Sequence, residues 1–282
     1  MSTSPIAVTG STGAVGGMVA RALSEAGRTT RLLVRDPLRA PRLDQSETAV
    51  CSYGDADTVR RGLDGVDTVF MVSASESADR LEEHRTFIDA ASAAGVQHIV
   101  YTSFQGAAPD ATFTLARDHW ATEQHLERSG MSWTFLRDSF YLDLIPLFAG
   151  DDGVIRGPAG EGRVAAVARH DVAAVATTTL LDPAPHRGAA YTLTGPEALT
   201  LTELAQIVTR VTGRTVTFHD ETVEEAYASR SIWTAPQWQY DAWVSTYTAI
   251  ARGEVAEVTD DVERITGRPP LDLEGVLRST PR

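Results

Sequence analysis

The feature that most constrains this chain is its opening stretch, Ile6-Ala7-Val8-Thr9-Gly10-Ser11-Thr12-Gly13-Ala14-Val15-Gly16. An apolar run of β-forming residues leads straight into glycines at 10, 13 and 16, and an Ala/Val/Leu-rich helical pattern follows. Such a strand–turn–helix lets the backbone approach a pyrophosphate, which then sits at the positive end of the helix. A tight structural turn would use glycines in the same way. The context favours a dinucleotide site: a strand before, a helix after, and a basic residue about twenty positions on.

Length and composition narrow the classes. At 282 residues the chain can form one large domain or two small ones. Its 43% hydrophobic and 22% charged residues are ordinary for a globular protein. The net charge of −13 argues against a nucleic-acid surface, which needs a basic patch. The single cysteine, Cys51, excludes an internal disulfide and a thiolate metal cluster, and points to a reducing cytoplasm. No apolar run is long enough to span a membrane, and a strand beginning by residue 5 leaves no room for a signal peptide. All 25 basic residues are arginine, so any mechanism that needs a lysine is excluded.

Strand and helix signals alternate after the opening turn. The spacing predicts a helix over 15–26 stopped by Gly27, and strands over 29–34, 48–53, 67–72, 97–102 and 132–136. Further helices open at a capping aspartate within Gly54-Asp55-Ala56-Asp57 and cover 78–94 and 115–129. This alternation builds a doubly wound parallel sheet covered on both faces, an α/β Rossmann-type fold over residues 1–137. From 138 to 282 the elements shorten: a strand at 164–168, a helix at 172–181 capped by Asp171, a strand at 191–193, a helix at 201–212 ended by Gly213, and a strand at 216–218. This half reads as a smaller α/β substrate lobe over the carboxyl ends of the strands, where open sheets place ligands, with about 164–194 returning to the main sheet.

The motifs together resemble a family. Gly-Ser-Thr-Gly-Ala-Val-Gly at 10–16, Val34-Arg35-Asp36-Pro37, Gly54-Asp55 with Gly65-Val66-Asp67, and Tyr101-Thr102-Ser103 carry the likeness. So do Ser129-Gly130 with Thr134-Phe135-Leu136-Arg137, His170-Asp171-Val172-Ala173, and Leu193-Thr194-Gly195-Pro196. The chain is similar, to about Pro270, to NmrA-like atypical short-chain dehydrogenases, near type 2 NAD(P)H:quinone oxidoreductases and triphenylmethane reductases. That resemblance implies one lobe binding NAD(P)H and a second closing a cleft over the nicotinamide. It assigns Gly10, Ser11, Thr12, Gly13, Ala14, Val15 and Gly16 to the phosphate turn. Arg35 falls at the adenosine ribose, Asp55 at the adenine edge, Val72, Ser73 and Ala74 on the loop passing the ribose, and Ser103 and Phe140 near the nicotinamide.

An acidic residue ending the second strand would accept from a free ribose 2′-OH and favour NAD. Arg35 stands there, with Arg39 four positions on, and a guanidinium suits a 2′-phosphate in charge and shape. NADP(H) is therefore the preferred cofactor, with Asp36 keeping NAD(H) possible.

Typical short-chain dehydrogenases pair a serine with a tyrosine four residues before a lysine. Ser103 occupies the serine place, but the lysine place falls on His119 and the tyrosine place on Leu115. The missing pair argues against carbonyl reduction and epimerisation, both of which need a positioned acid or base. Hydride transfer to an acceptor that stabilises its own charge, such as a quinone, asks mainly for positioning and desolvation. His119 either donates a hydrogen bond to the nicotinamide ribose or the acceptor, or packs locally; Glu123, one turn on, would orient its ring. Tyr141 is the one nearby phenol able to act as a catalytic proton donor, and Phe104, Gln105 and Phe140 border the same cleft. Trp233, Trp238, Tyr240, Trp243 and Tyr247 either pack the small lobe or roof a flat substrate, with Trp233 in contact with it. The histidines show no metal-ligand spacing.

Two classes of function fit. One is a reductase of a small planar aromatic, a quinone, without nucleic-acid or membrane partners, working as a monomer or homodimer. The other is a non-catalytic NAD(P)-binding sensor or regulator, or a cofactor-binding helper to an oxygenase in aromatic polyketide metabolism. Turnover of NADPH with a simple quinone separates them.

Overall fold

A computed structural model describes residues 4–279. The first half alternates as the hydrophobic pattern requires: β1 (Ile6–Thr9), α1 (Ala14–Glu25), β2 (Thr30–Val34), β3 (Ser46–Val50), α2 (Ala56–Gly62), β4 (Thr68–Met71), α3 (Arg80–Ala93), β5 (His98–Phe104), α4 (Thr114–Arg128) and β6 (Ser132–Asp138). Then come α5 (Ile145–Phe148), β7 (Val154–Gly157), β8 (Arg163–Val164), α6 (Arg169–Leu181), β9 (Ala189–Leu193) and β10 (Leu199–Thr200). The last elements are α7 (Leu201–Thr212), β11 (Thr217–Asp220), α8 (Val223–Arg230), α9 (Gln237–Ala251), α10 (Asp261–Thr266) and α11 (Leu273–Ser279).

The main sheet has the order β3-β2-β1-β4-β5-β6-β9. β1 pairs in parallel with both β2 and β4, β2 with β3, and β4 with β5. The order reverses at β1, and the carboxyl end of a strand pair at such a switch point is where doubly wound sheets bind ligands. β5 is buried at every position, as a strand covered on both faces must be.

By compactness the chain divides into two units, and the division is not a single cut. Unit 1 takes the described residues up to Ser103 with Asp118–Arg137 and Val172–Tyr191; unit 2 takes Phe104–Arg117, Asp138–Asp171 and the described residues from Thr192 on. Unit 1 is held by Leu33, Val69, Phe87, Ile88, Ile99, Tyr101, Leu126 and Phe135, all buried. Side chains of this size stabilise by roughly 1.5–3 kcal/mol each when fully buried. The core of unit 2 gathers Phe104, Phe113, Ile155, Leu204, Val208, Tyr247 and Ile250.

Local signals set several boundaries. Asp55 caps α2, its carboxylate accepting from the Asp57 and Thr58 amides at 3.0 and 3.1 Å. α7 opens with a Thr200/Glu203 capping box and stops at left-handed Gly213. Asp171 departs from expectation. α6 opens earlier, at Arg169, whose amide is capped from a distance by Asp143 at 2.9 Å. The Asp171 carboxylate is buried; it accepts from the Leu271 amide at 2.7 Å and pairs with Arg268 at 2.8 Å. A buried carboxylate needs a cation and donors more than the helix needs a second cap.

Candidate functional site

The phosphate turn lies between β1 and α1. Gly10 has φ +63°, and a Cβ there would meet the Val72 Cβ at 3.0 Å. A Cβ on Gly16 would fall 2.4 Å from the Gly10 carbonyl oxygen and 2.7 Å from that of Thr9. These two positions therefore require glycine. Thr12, Gly13 and Ala14 are exposed, while Ser11, Val15 and Gly16 are buried. Among the described residues no side chain caps α1, and no acid stands in its first turn, so nothing described there offsets the positive helix end. Ser11 Oγ is buried without a hydrogen-bond partner among the described residues. A bare helix end, a glycine cradle and an unmatched hydroxyl fit a pyrophosphate.

Arg35, at the end of β2, is exposed, and no side chain among the described residues pairs with it. Asp36 instead turns back to accept from the Leu38 amide at 3.0 Å, capping the short turn Pro37–Arg39. The acid next to Arg35 is thus occupied with local structure. Asp55 is likewise exposed and occupied as the α2 cap.

Side chains grip the loop Val72-Ser73-Ala74 by its backbone. The Val72 amide donates to Thr9 Oγ1 at 2.9 Å, and the Val72 carbonyl accepts from the Tyr53 hydroxyl at 2.5 Å. The Ser73 amide donates to Thr102 Oγ1 at 2.8 Å, and the Ala74 amide to His84 Nε2 at 2.8 Å. Arg80 Nε donates to the Ala74 carbonyl at 3.0 Å. Beneath the loop this network continues inward. His84 Nδ1 lies 2.9 Å from Thr122 Oγ1, which donates to the Asp118 carbonyl at 2.7 Å. His119 has Nε2 at 2.8 Å from Arg80 Nη2 and Nδ1 at 2.9 Å from the Tyr101 hydroxyl. Because the guanidinium can only donate, His119 accepts at Nε2 and carries its proton on Nδ1. Burial, with the Arg80 charge second, pulls His84 down to about 3 and His119 well below the usual imidazole range. Both rings are neutral.

Ser103 donates to Glu123 Oε1 at 2.6 Å. Arg137 grips the same carboxylate with two bonds, Nε to Oε1 at 2.9 Å and Nη2 to Oε2 at 2.7 Å. Glu123 thus serves Ser103 and Arg137 rather than orienting the His119 ring, which Arg80 and Tyr101 hold. Ser103 and His119 have their hydrogens engaged by these neighbours, Ser103 by Glu123 and His119 by Tyr101.

In unit 2, Phe104, Phe113 and Phe140 form an aromatic triangle with centroids 4.9, 5.0 and 5.3 Å apart. Gln105 donates from Nε2 to the Glu257 carbonyl at 2.9 Å. Tyr141 donates to Asp138 Oδ2 at 2.9 Å, and the Arg169 guanidinium lies 5.1 Å above its ring. Burial pushes both the Tyr141 phenol and the Asp138 carboxyl well above their ordinary ranges. Trp233 is 55% exposed and meets Trp243 edge-on at 6.1 Å, whereas Tyr247 belongs to the core.

Sequence reading passed over Arg80, His84, Tyr53, Thr122 and Asp138. The first two left a signal: Arg80 and His84 are in step with Phe87, Ile88 and Ala91 on the buried stripe of α3. On α4, His119, Thr122 and Glu123 are in step with Leu126 in the same way. Polar residues in register with a core stripe must be paired, and here they pair with one another.

The comparisons follow this geometry. The NmrA-like family matches residues 2–252. The NAD(P)H azoreductase of Xenophilus azovorans is 34% identical over 94% of this chain and 93% of its own length. A (4-alkanoyl-5-oxo-2,5-dihydrofuran-3-yl)methyl phosphate reductase of Streptomyces griseus is 35% identical over 94% and 93%. Among solved structures, an NADPH-dependent quinone oxidoreductase from Escherichia coli complexed with NADPH superposes with TM-score 0.87 at 31% identity, over 97% of this chain and 98% of that one. Glycine turn, strand order and full-length similarity agree: this chain belongs to the NmrA-like family.

Proposed function

We propose that this chain, an NAD(P)H-dependent oxidoreductase, delivers hydride from NADPH, and less readily from NADH, to a quinone or related planar conjugated acceptor. One observation carries the reading. The side chains standing where related dehydrogenases keep their serine and lysine are consumed inside unit 1, Ser103 by Glu123 and His119 by Arg80 and Tyr101. A site with Leu115 and His119 in place of the proton-donating tyrosine and lysine suits an acceptor whose reduced form is stabilised by its own conjugation.

The dinucleotide supplies a transferable hydride when bound. The turn Gly10–Gly16 and the amino end of α1 would hold its pyrophosphate, and Arg35 with Arg39 its 2′-phosphate. The gripped loop 72–74 gives the ribose a wall already fixed before binding, so little ordering cost remains. Phe104, Phe140, Gln105, Tyr141 and Trp233 are the candidates for contact with the acceptor. The names of the azoreductase, the dihydrofuran reductase and the quinone oxidoreductase support a conjugated acceptor as the common denominator.

Steady-state oxidation of NADPH over a panel of naphthoquinones tests this reading. Saturable, protein-dependent oxidation supports it. Tight cofactor binding without oxidation across the panel overturns it in favour of a sensor.

A further inference from the structure

The carboxyl ends of β5 and β6 gather buried polar atoms that the protein leaves unmatched. Asp138 Oδ1, Ser139 Oγ and Gln105 Oε1 are each buried without a hydrogen-bond partner among the described residues. The three residues are joined through the backbone, the Gln105 amide donating to the Asp138 carbonyl at 2.9 Å. Buried polar atoms are normally paired, and an unmatched group at the ligand end of an α/β sheet is best explained by a ligand. Asp138 is the most informative of them. It is 2% exposed, and its other oxygen, Oδ2, already accepts from the Tyr141 hydroxyl at 2.9 Å.

We propose that the Asp138 carboxyl, held by Tyr141 and presenting its unmatched Oδ1, is the hydrogen-bond donor to the acceptor oxygen that gains charge during reduction. This rests on the reading of the chain as a reductase of conjugated acceptors. Because Tyr141 donates to Oδ2, the acid proton belongs on Oδ1. Burial favours this neutral form, against the weaker pull of the Tyr141 hydrogen bond. Hydride addition to a quinone or an enone leaves negative charge on oxygen, and a buried donor aimed at that oxygen stabilises the transition state more than the ground state. The carboxyl keeps its proton throughout; water protonates the reduced product. The titratable and charged groups around the pair are Tyr141 itself, Asp143 and Arg169. The neighbours on the flanking strands, Gln105 and Leu193, carry no charge.

The test compares wild type, D138A and D138N by kcat against pH with a naphthoquinone, together with infrared spectra of the free protein. D138A should lose about 100-fold in kcat, the scale of one lost oxyanion donor. D138N should recover most of that loss, because its amide donates where Oδ1–H stood and its carbonyl still accepts from Tyr141. Wild-type kcat should fall as pH rises and the carboxyl ionises, whereas D138N should show no such fall. The free wild-type protein should show the C=O stretch of a protonated carboxyl at neutral pH, and D138N should lack it. D138A turning over like wild type, or D138N falling as far as D138A, overturns the proposal. So does absence of the infrared band, which is read without turnover. A wild-type protein that shows the band but oxidises no NADPH contradicts the reductase reading, and with it the acceptor this donor would serve.

Discussion

Ser103 shows how a residue in a familiar place can be committed elsewhere. Its hydroxyl hydrogen goes to Glu123, a carboxylate that Arg137 also grips. Ser103→Ala should therefore leave kcat within about 3-fold and cost roughly 1 kcal/mol of stability for the lost buried hydrogen bond. A kcat loss of about 100-fold or more, the scale of general acid catalysis, would return the serine to the chemistry. Arg35 is the opposite case, exposed and with no side-chain partner among the described residues while its neighbour Asp36 caps a turn. Arg35→Ala should raise KM for NADPH by about 10-fold or more, the scale of a charge-assisted hydrogen bond. KM for NADH should barely change, and an equal rise for both cofactors would contradict the assignment. The glycine demand at positions 10 and 16 and the place of Arg35 just past β2 were legible because both follow from local backbone geometry around a strand end. The commitments of Ser103 and His119 were not, because the partners lie 20 and 39 residues away.

At the scale of elements, α3 is both a core helix and the support of a loop. Its stripe buries Phe87 and Ile88 and carries Arg80 and His84 beneath Ala74. The strand–helix alternation was readable from hydrophobic period, including α7 and its Gly213 stop. The second function of the α3 stripe was not, because periodicity reports which face is buried and not what a buried polar residue meets. Arg80→Met keeps the length of the stem but leaves the Ala74 carbonyl and His119 Nε2 without their donor. It should weaken NADPH binding about 10-fold or more, since the hydrogen bond holding the loop at Ala74 is lost together with those to Asp118 and His119. Cofactor fluorescence titration of folded protein measures this, and unchanged affinity would show that the loop keeps its shape without Arg80.

For the whole molecule, the buried histidines set a pH limit. Burial, with the Arg80 charge second, holds His84 down to about 3; burial, with Arg187 second and His186 third, holds His98 to about 4. The unfolded chain takes up these protons near the ordinary value of 6.5, while the folded chain refuses them. Stability is thus complete above that value and is lost as pH falls toward the folded values, by up to about 1.4 kcal/mol per pH unit for each histidine. The urea midpoint should hold near pH 7 to 8 and drop steeply toward about pH 5; a flat midpoint over that range would contradict the neutral state of the buried His84 and His98. The central claim, hydride transfer from NADPH to a conjugated acceptor, is tested most directly by single-turnover absorbance with NADPH deuterated at the transferred position. The account predicts naphthoquinone-dependent decay of the bound cofactor that is slower with deuterium than with hydrogen. Bound NADPH that decays no faster than in the protein-free blank would contradict it.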